Sequence, residues 1–353
     1  MTRSILYLFI FVLILSCQNK EANNHESENK KVFLELWNAF DKNYAFFELR
    51  NVDWKKEKNL FLNTTNFNVK DSVFFDKMCN LLKKFGDTHI NLESDSLKLY
   101  CNAGDTPEFF KNFPSNESFG QFIKARNSTL KKLKVDSLST SKSGIFEYGI
   151  STSQRWGYLR IKRFYGAPLK EIQTELDEID KKLQLAENKI VDIRVNPGGN
   201  DETALLCAGY DFHKKEIAFI KKVRNGNDYE DFSIPDTTYV YPKTSFRREG
   251  KPIYLLTNRA AGSSADVYAL TMSNLHNVKI IGTNTEGIFS DMHRMTLSNG
   301  WNLTLSNERY YSKEMKCYEG IGVPVDEKAL NTMEDALKEI DMVIEKVIEL
   351  NAN

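Results

Sequence analysis

The chain has 353 residues, with 48 lysines and arginines balanced by 48 aspartates and glutamates. That balance offers no broad basic face, so nucleic acid is excluded as a partner, and aromatic residues at 12% exclude a disordered chain. The length suits one large or two modest domains.

The N-terminal segment carries one positive charge in Thr2-Arg3-Ser4, an almost wholly apolar run from Ile5 to Leu15, and then Ser16-Cys17. The run is too short to span a bilayer and has the shape of a signal-peptide core. A cysteine after a small residue at this point resembles a bacterial lipobox, in which the Cys17 thiol would take a diacylglyceryl group and become the mature N-terminus. Residues 1–17 are therefore expected to be a lipoprotein signal peptide. Gln18 to Lys30 has no apolar content worth burying, and residues 18–30 read as a flexible tether.

Residues 31–95 read as a small N-terminal helical subdomain. Phe33, Leu36, Trp37, Phe40 and Tyr44 recur at helical spacing, and Asp53-Trp54 opens a second helix. Asp71-Ser72 caps a third, with Phe74, Phe75, Met78, Leu81 and Leu82 on its apolar face. Lys83-Lys84-Phe85-Gly86 closes that helix, with cations in the last turn and a glycine just beyond. Residues 96–143 read as an irregular connecting segment, broken by Pro107 and Pro114, with one helix from Phe119 to Leu133. Residues 144–353 read as an α/β core. Strands are expected at Ile145–Ile150, Gly157–Phe164, Lys189–Val195, Ile253–Thr257 and Val278–Gly282, with helices at Leu169–Leu183 and Asp201–Gly209. Such alternation argues for a parallel or mixed sheet with helices on both faces. Thr332–Leu350 reads as one closing amphipathic helix. Cys79, Cys101, Cys207 and Cys317 show neither a Cys-x-x-Cys pair nor a zinc spacing. Disulfides and buried free thiols both stay open, and no metal or cofactor is expected.

Four short blocks carry chemistry. In Lys251 to Asp266 a buried-strand run ends in a small-residue loop, and Ser263-Ser264 sits where a helix begins. The first N–H groups of a helix lack internal partners and can stabilise an oxyanion; the same pair also reads as a plain N-cap. Gly262, Ala261 and Ala265 leave room for a substrate backbone. In Gly86-Asp87-Thr88-His89 an imidazole lies in a glycine-broken junction, suited to take a serine's proton near neutral pH, with His293 as a rival base. Asp192 to Asn200 ends a strand at Asn196-Pro197-Gly198-Gly199. Paired glycines there turn N–H groups toward a carbonyl, or simply make a tight turn. Tyr318 to Asp326 sets Glu319 ahead of Gly320, a carboxylate able to orient an imidazole.

In this order the blocks resemble the tail-specific, or C-terminal processing, protease family, and more closely its tricorn-core relatives. The likeness rests on Asp87-Thr88-His89, Asp192 to Gly199, Ser263 to Asp266, Gly282-Thr283-Asn284-Thr285-Glu286-Gly287 and Glu319 to Asp326. It runs from about Phe33 to the last helix. The resemblance implies a ClpP/crotonase-like α/β core and a Ser–His–Glu mechanism. Ser263 would be the nucleophile, His89 the general base and Glu319 the acid that orients it. Ser264 and Gly198 or Gly199 would supply the backbone oxyanion donors, and Thr88 falls where the tricorn relatives place an assisting serine. Two positions depart from the pattern. Ile288 stands where the processing branch has its lysine base, and Asp266 replaces the usual glutamate; no PDZ-like insert is evident between Leu97 and Lys142. The expected protein is a lipid-anchored serine peptidase of the bacterial cell envelope, outside the cytoplasm, acting on peptide or unfolded protein and tied to the membrane by its N-terminal lipid. The competing reading is a non-catalytic ligand- or peptide-binding module on the same scaffold.

Overall fold

Short runs of aliphatic and aromatic residues build a seven-stranded sheet, ordered Glu327–Lys328, Val278–Gly282, Ile253–Thr257, Asn188–Asp192, Trp156–Ile161, Phe146–Ile150 and Ser139–Thr140. The first five strands run parallel and the last two antiparallel, as the alternation of strands and helices predicts. The computed structural model describes residues 26–243 and 250–352. Ile253–Thr257 and Trp156–Ile161 are buried at every position, the signature of strands covered on both faces. Successive side chains go to opposite sides. Leu159, Val191, Leu255 and Ile280 enter one core with Ile172, Leu176, Ile179 and Leu183 of the helix Leu169–Leu183. Tyr158, Ile190, Leu256 and Ile281 enter another with Leu130, Val343, Ile344 and Val347.

The described chain divides into two compact units. One holds residues up to Asp105 with Val223–Ser233 and Asp291–Glu308; the other holds Thr106–Lys222, Ile234–Ser290 and the chain from Arg309 onward. The first unit has helices over residues 26–43, Trp54–Thr64 and Asp71–Leu82. It also has an antiparallel sheet ordered Met292–Thr296, Asn302–Ser306, Asn91–Ser94 and Leu99–Asn102. Phe33, Phe40, Trp54, Phe85 and Trp301 dominate its core, and the disulfide Cys79–Cys101 ties its third helix to the sheet.

Several expected boundaries move. The helical subdomain expected at 31–95 is part of a mixed unit assembled from three chain segments, because Asn91 pairs with Thr304 across the sequence. The tether ends sooner than residue 30. Residues 26–30 are already helical, and the buried Asn29 donates from Nδ2 to the carbonyls of Phe67 (2.8 Å) and Val69 (3.0 Å). The segment 96–143 is not a connector. Its strand Leu99–Asn102 belongs to the first unit, and the helices Glu108–Asn112 and Asn116–Lys132 belong to the second. The long helix begins earlier than Phe119 because Ser115 and Ser118 form a capping box. The core expected at 144–353 thus starts at Thr106 and yields Val223–Ser233 and Asp291–Glu308 to the first unit. Its closing helix is two helices, Met333–Leu337 and Met342–Leu350, the second capped by the Asp341 carboxylate.

Candidate active site

Ser263 is the N-cap of the helix Ser264–Met272, at the end of the loop that leaves the strand Ile253–Thr257. Its φ of +58° and ψ of −125° lie where a residue with a side chain is strained, and its hydroxyl makes no capping hydrogen bond. The plain N-cap reading therefore fails for Ser263. Ser264 is buried, and its hydroxyl donates to Asp201 Oδ1 at 2.6 Å, while Tyr310 Oη donates to Asp201 Oδ2 at 3.2 Å. The Ser264 N–H heads the helix, among the groups that have no partner within it. The neighbouring small residues serve internal packing. Ala261 and Ala265 lie in the core, and a Cβ on Gly262 would meet Glu286 Oε2 at 2.3 Å.

The glycine pair stands beside this serine. A Cβ on Gly198 (φ +91°) would lie 2.6 Å from Ser263 Cβ and 2.9 Å from the Ser264 nitrogen. A Cβ on Gly199 (φ +144°) would meet the Phe164 carbonyl at 2.5 Å. Only glycine fits at either position. The Gly198 N–H donates to Asn196 Oδ1 at 2.9 Å. Phe164 donates to the Gly198 carbonyl at 2.8 Å and accepts from the Asn200 N–H at 3.0 Å, in a parallel bridge that brackets Gly199. The N–H and C=O of Gly199 itself then face the other side of that segment. Upstream, the buried Arg194 donates from Nε and Nη2 to the Asp192 carboxylate at 2.9 and 2.7 Å and from Nη1 to Asp341 at 2.9 Å. Burial alone would raise the pKa of Asp192, but the Arg194 guanidinium prevails and holds it at about 2.

Asp266, the residue standing in place of glutamate, is fully buried and accepts from the N–H groups of Gly287 (2.9 Å) and Ile288 (3.0 Å). The Thr285 hydroxyl and the Ser263 N–H also donate to it. Burial pushes its pKa up to about 6 against the pull of these donors. The next amide, Phe289 N–H, donates to Glu319 Oε2 at 2.9 Å, and Gly320 N–H donates to the Gly287 carbonyl at 2.7 Å. Ser263, Asp266, the loop 285–289 and Glu319 are thus joined by hydrogen bonds within the second unit, and Glu319 is buried. The place of the lysine base is held by the buried Ile288.

His89 and Thr88 belong to the first unit. The buried Asp87 shapes their turn, accepting from the His89 N–H at 2.9 Å through Oδ1 and from Tyr44 Oη at 3.0 Å through Oδ2. The Thr304 hydroxyl donates to the His89 carbonyl at 2.7 Å, and Asn102 Nδ2 to the Thr88 carbonyl at 2.7 Å. A Cβ on Gly104 would meet Thr88 Oγ1 at 2.3 Å, so that glycine makes room for the turn. His293, the rival base, lies half-buried on the strand Met292–Thr296 of the same unit. Cys17 lies outside the described residues. Among the described residues no group of three or more His, Cys, Asp or Glu side chains is placed to hold a metal ion.

Two residues here escape a reading of the sequence. Asn258 and Asp201 are ordinary polar residues until the sheet register sets Asp192 opposite Leu256 and brings their loops side by side.

Residues 155–329 match the model of peptidase family S41. The carboxyl-terminal-processing protease of Synechocystis is 24% identical over 185 residues, which cover 49% of this chain and 38% of that protein. The chain therefore spans well under two thirds of that relative's length. A candidate peptidase of Parabacteroides merdae has the same fold at a TM-score of 0.75 and 21% identity, over 91% of this chain and 96% of its own. The photosystem II D1 C-terminal processing protease matches at a TM-score of 0.54 and 16% identity, over 90% of this chain and 96% of its own.

Proposed function

The chain belongs to peptidase family S41 through residues 155–329, and on that premise we propose that it is a serine peptidase hydrolysing peptide bonds through Ser263, His89 and Glu319. The observation that carries the reading is Ser263 itself, held at a left-handed φ of +58° at a helix N-terminus with its hydroxyl left out of the cap. His89 takes the Ser263 proton as Oγ attacks the carbonyl carbon, and Glu319 steadies the imidazolium that forms. The tetrahedral oxyanion is met by the Ser264 N–H and the Gly199 N–H. Gly199 is preferred to Gly198 because the Gly198 N–H already serves Asn196. His89 then returns the proton to the leaving amine, and water releases the acyl group by the same route. Thr88 supports the imidazole from the adjoining position.

The substrate class is peptide or unfolded protein. The place of work is the cell envelope, with the chain anchored through a lipid on Cys17; the disulfide Cys79–Cys101 supports an oxidising compartment. Labelling wild-type cells and Cys17→Ala cells with a tagged fatty acid tests the anchor: an unlabelled wild type removes it.

A fluorophosphonate probe tests the chemistry. Wild type is expected to label, Ser263→Ala to lose labelling and peptide hydrolysis, and Ser264→Ala to keep much of both. Loss on Ser264→Ala alone would reverse the assignment. An unlabelled wild type would leave the non-catalytic binding module in front.

A further inference from the structure

The loops that carry Ser263 and the glycine pair are stitched together by two asparagines that stand outside the reaction itself. We propose that Asn258 and Asn196 form a reciprocal pair of positioning residues that set the Gly199 oxyanion donor against Ser263. This rests on the reading of Ser263 as nucleophile.

The strands Asn188–Asp192 and Ile253–Thr257 run parallel, and their last rung is Ile193 N–H to the Leu256 carbonyl at 3.1 Å. Beyond it both backbones leave the ladder while still buried, so their N–H groups need new acceptors. Asn258, on the serine loop, provides one: its Oδ1 accepts from Val195 N–H of the glycine loop at 3.0 Å and from Ala260 N–H of its own at 3.2 Å. Asn196, on the glycine loop, returns the contact. Its carbonyl accepts from Gly262 N–H at 3.1 Å, its Oδ1 from Gly198 N–H at 2.9 Å, and its Nδ2 donates to the Ile161 carbonyl at 3.0 Å. Each asparagine therefore holds its own loop and the other one.

Each loop also contains one side-chain-bearing residue at left-handed φ, Val195 at +63° and Ser263 at +58°. A β-branched residue there is a true outlier, and such strain persists only where neighbouring contacts over-determine it. The two asparagines supply those contacts on both sides. The resulting spacing leaves no room even for a methyl group between Gly198 and Ser263. An oxyanion donor works only within hydrogen-bond distance of the forming charge, and a displacement of about 1 Å costs on the order of a hundredfold in rate.

The test uses the full chain and pairs Asn258→Ala, which removes the shared acceptor, with Asn258→Asp, which keeps an oxygen in its place. For Asn258→Ala, kcat and the rate of fluorophosphonate labelling at Ser263 are each expected to fall about 30- to 100-fold. KM stays within about twofold, because the lost interaction acts on the transition state and not on substrate binding. Asn258→Asp is expected to label within about fivefold of wild type. Rates are measured well below each variant's unfolding temperature, so a loss of folded protein is not mistaken for a loss of positioning. A folded Asn258→Ala that labels at the wild-type rate overturns the proposal. So does an Asn258→Asp that loses about a hundredfold, and this arm stands even where the alanine variant fails to fold. A wild type that does not label at Ser263 brings down the nucleophile assignment, and this proposal with it, and is told apart by needing no variant at all.

Discussion

His89 sits in a turn of ordinary backbone angles, held by Asp87, Thr304 and Asn102 through hydrogen bonds to its main chain, with Gly104 cleared for Thr88. Ser263 sits at the other extreme. Its backbone is strained, two parallel strands end beside it, and glycine is required within van der Waals distance of its Cβ. A hydrogen-bonded turn yields by small adjustments when one neighbour grows. A strained junction between two stitched loops has no such freedom, since relaxing it moves Ser263 and the backbone N–H groups of the glycine loop apart together. Two glycines that each stand against a candidate site residue in space, Gly198 by Ser263 and Gly104 by Thr88, should therefore differ in how much they tolerate.

Gly198→Ala and Gly104→Ala break or sharpen that contrast most directly. In Gly198→Ala the new methyl meets Ser263 Cβ, and φ at +91° disfavours any side chain. We expect kcat to fall on the order of a thousandfold, the scale of losing an oxyanion donor. In Gly104→Ala the methyl meets Thr88 at Oγ1 (2.3 Å) and at Cα (2.7 Å), so the turn before His89 must move, but Gly104 has no left-handed φ to disfavour a side chain, and we expect a smaller loss, on the order of tenfold. Equal losses in the two variants, measured as kcat on one peptide, would dissolve the distinction.

The next difference is one of stability. Only the first unit carries a disulfide among the described residues, and Cys79–Cys101 closes a loop with a sequence separation of 22. Constraining the unfolded chain over such a loop contributes about 3 kcal/mol. Cys79→Ser with Cys101→Ser should lower the unfolding free energy by that amount, and the denaturation midpoint with it, while leaving the Ser263 labelling rate of the folded protein unchanged. The second unit's Cys207 is buried and Cys317 half-buried, both as free thiols, so reductant should not act through them. A midpoint unchanged by the double substitution would remove the disulfide from the stability of the first unit.

Glu319→Gln separates charge from scaffolding. The amide oxygen of glutamine can still accept from Phe289 N–H, so the loop 285–289 keeps its partner. The negative charge and one acceptor oxygen are lost, and the expected fall in kcat is on the order of a hundredfold, or about 2.7 kcal/mol. An unchanged rate would show Glu319 to be a loop support and nothing more.

Much of this contrast could be read before folding, and the rest could not, for identifiable reasons. The strands Ile253–Thr257 and Val278–Gly282 and the helix Leu169–Leu183 stand where local pattern puts them, because a doubly covered strand and an amphipathic helix each announce themselves within a few residues. The four-stranded sheet of the first unit was not legible. Its strands come from residues 91–102 and 292–306; within each segment the pairing is local, but the pairing that joins the two, Asn91 with Thr304, spans more than two hundred residues. Thr332–Leu350 reads as one helix because Ala336, Leu337, Ile340, Val343, Ile344 and Val347 keep helical spacing across the break; the Asp341 carboxylate caps Val343 and Ile344 and receives Arg194. At the site, the motif supplies Ser263, His89 and Glu319 as residue types. The asparagine contacts and the buried state of Asp266 depend on loops brought together by sheet register, which no local window contains.

Asp266 carries the smallest expected effect and separates the two regions by pH. Its carboxyl is fully buried, and its pKa is raised from 3.8 to about 6 by that burial, against the donors that surround it. A carboxyl whose folded pKa exceeds its unfolded one favours the folded state while protonated. That contribution is complete below about pH 4 and is lost as pH rises through about 6. A rise from 3.8 to about 6 corresponds to a change on the order of 2–3 kcal/mol. Asp266→Asn cannot ionise, so the difference in unfolding free energy between wild type and variant should shift by that amount between pH 4 and 6, in the variant's favour as pH rises. The variant still pays at neutral pH in another way. An amide can turn only one oxygen toward Gly287 and Ile288, leaving one buried N–H facing an N–H, and the loop that reaches Glu319 loosens. Parallel stability curves for wild type and Asp266→Asn over that range would mean that the buried carboxyl does not titrate there, and that the serine junction is held as insensitively to pH as its donors alone allow.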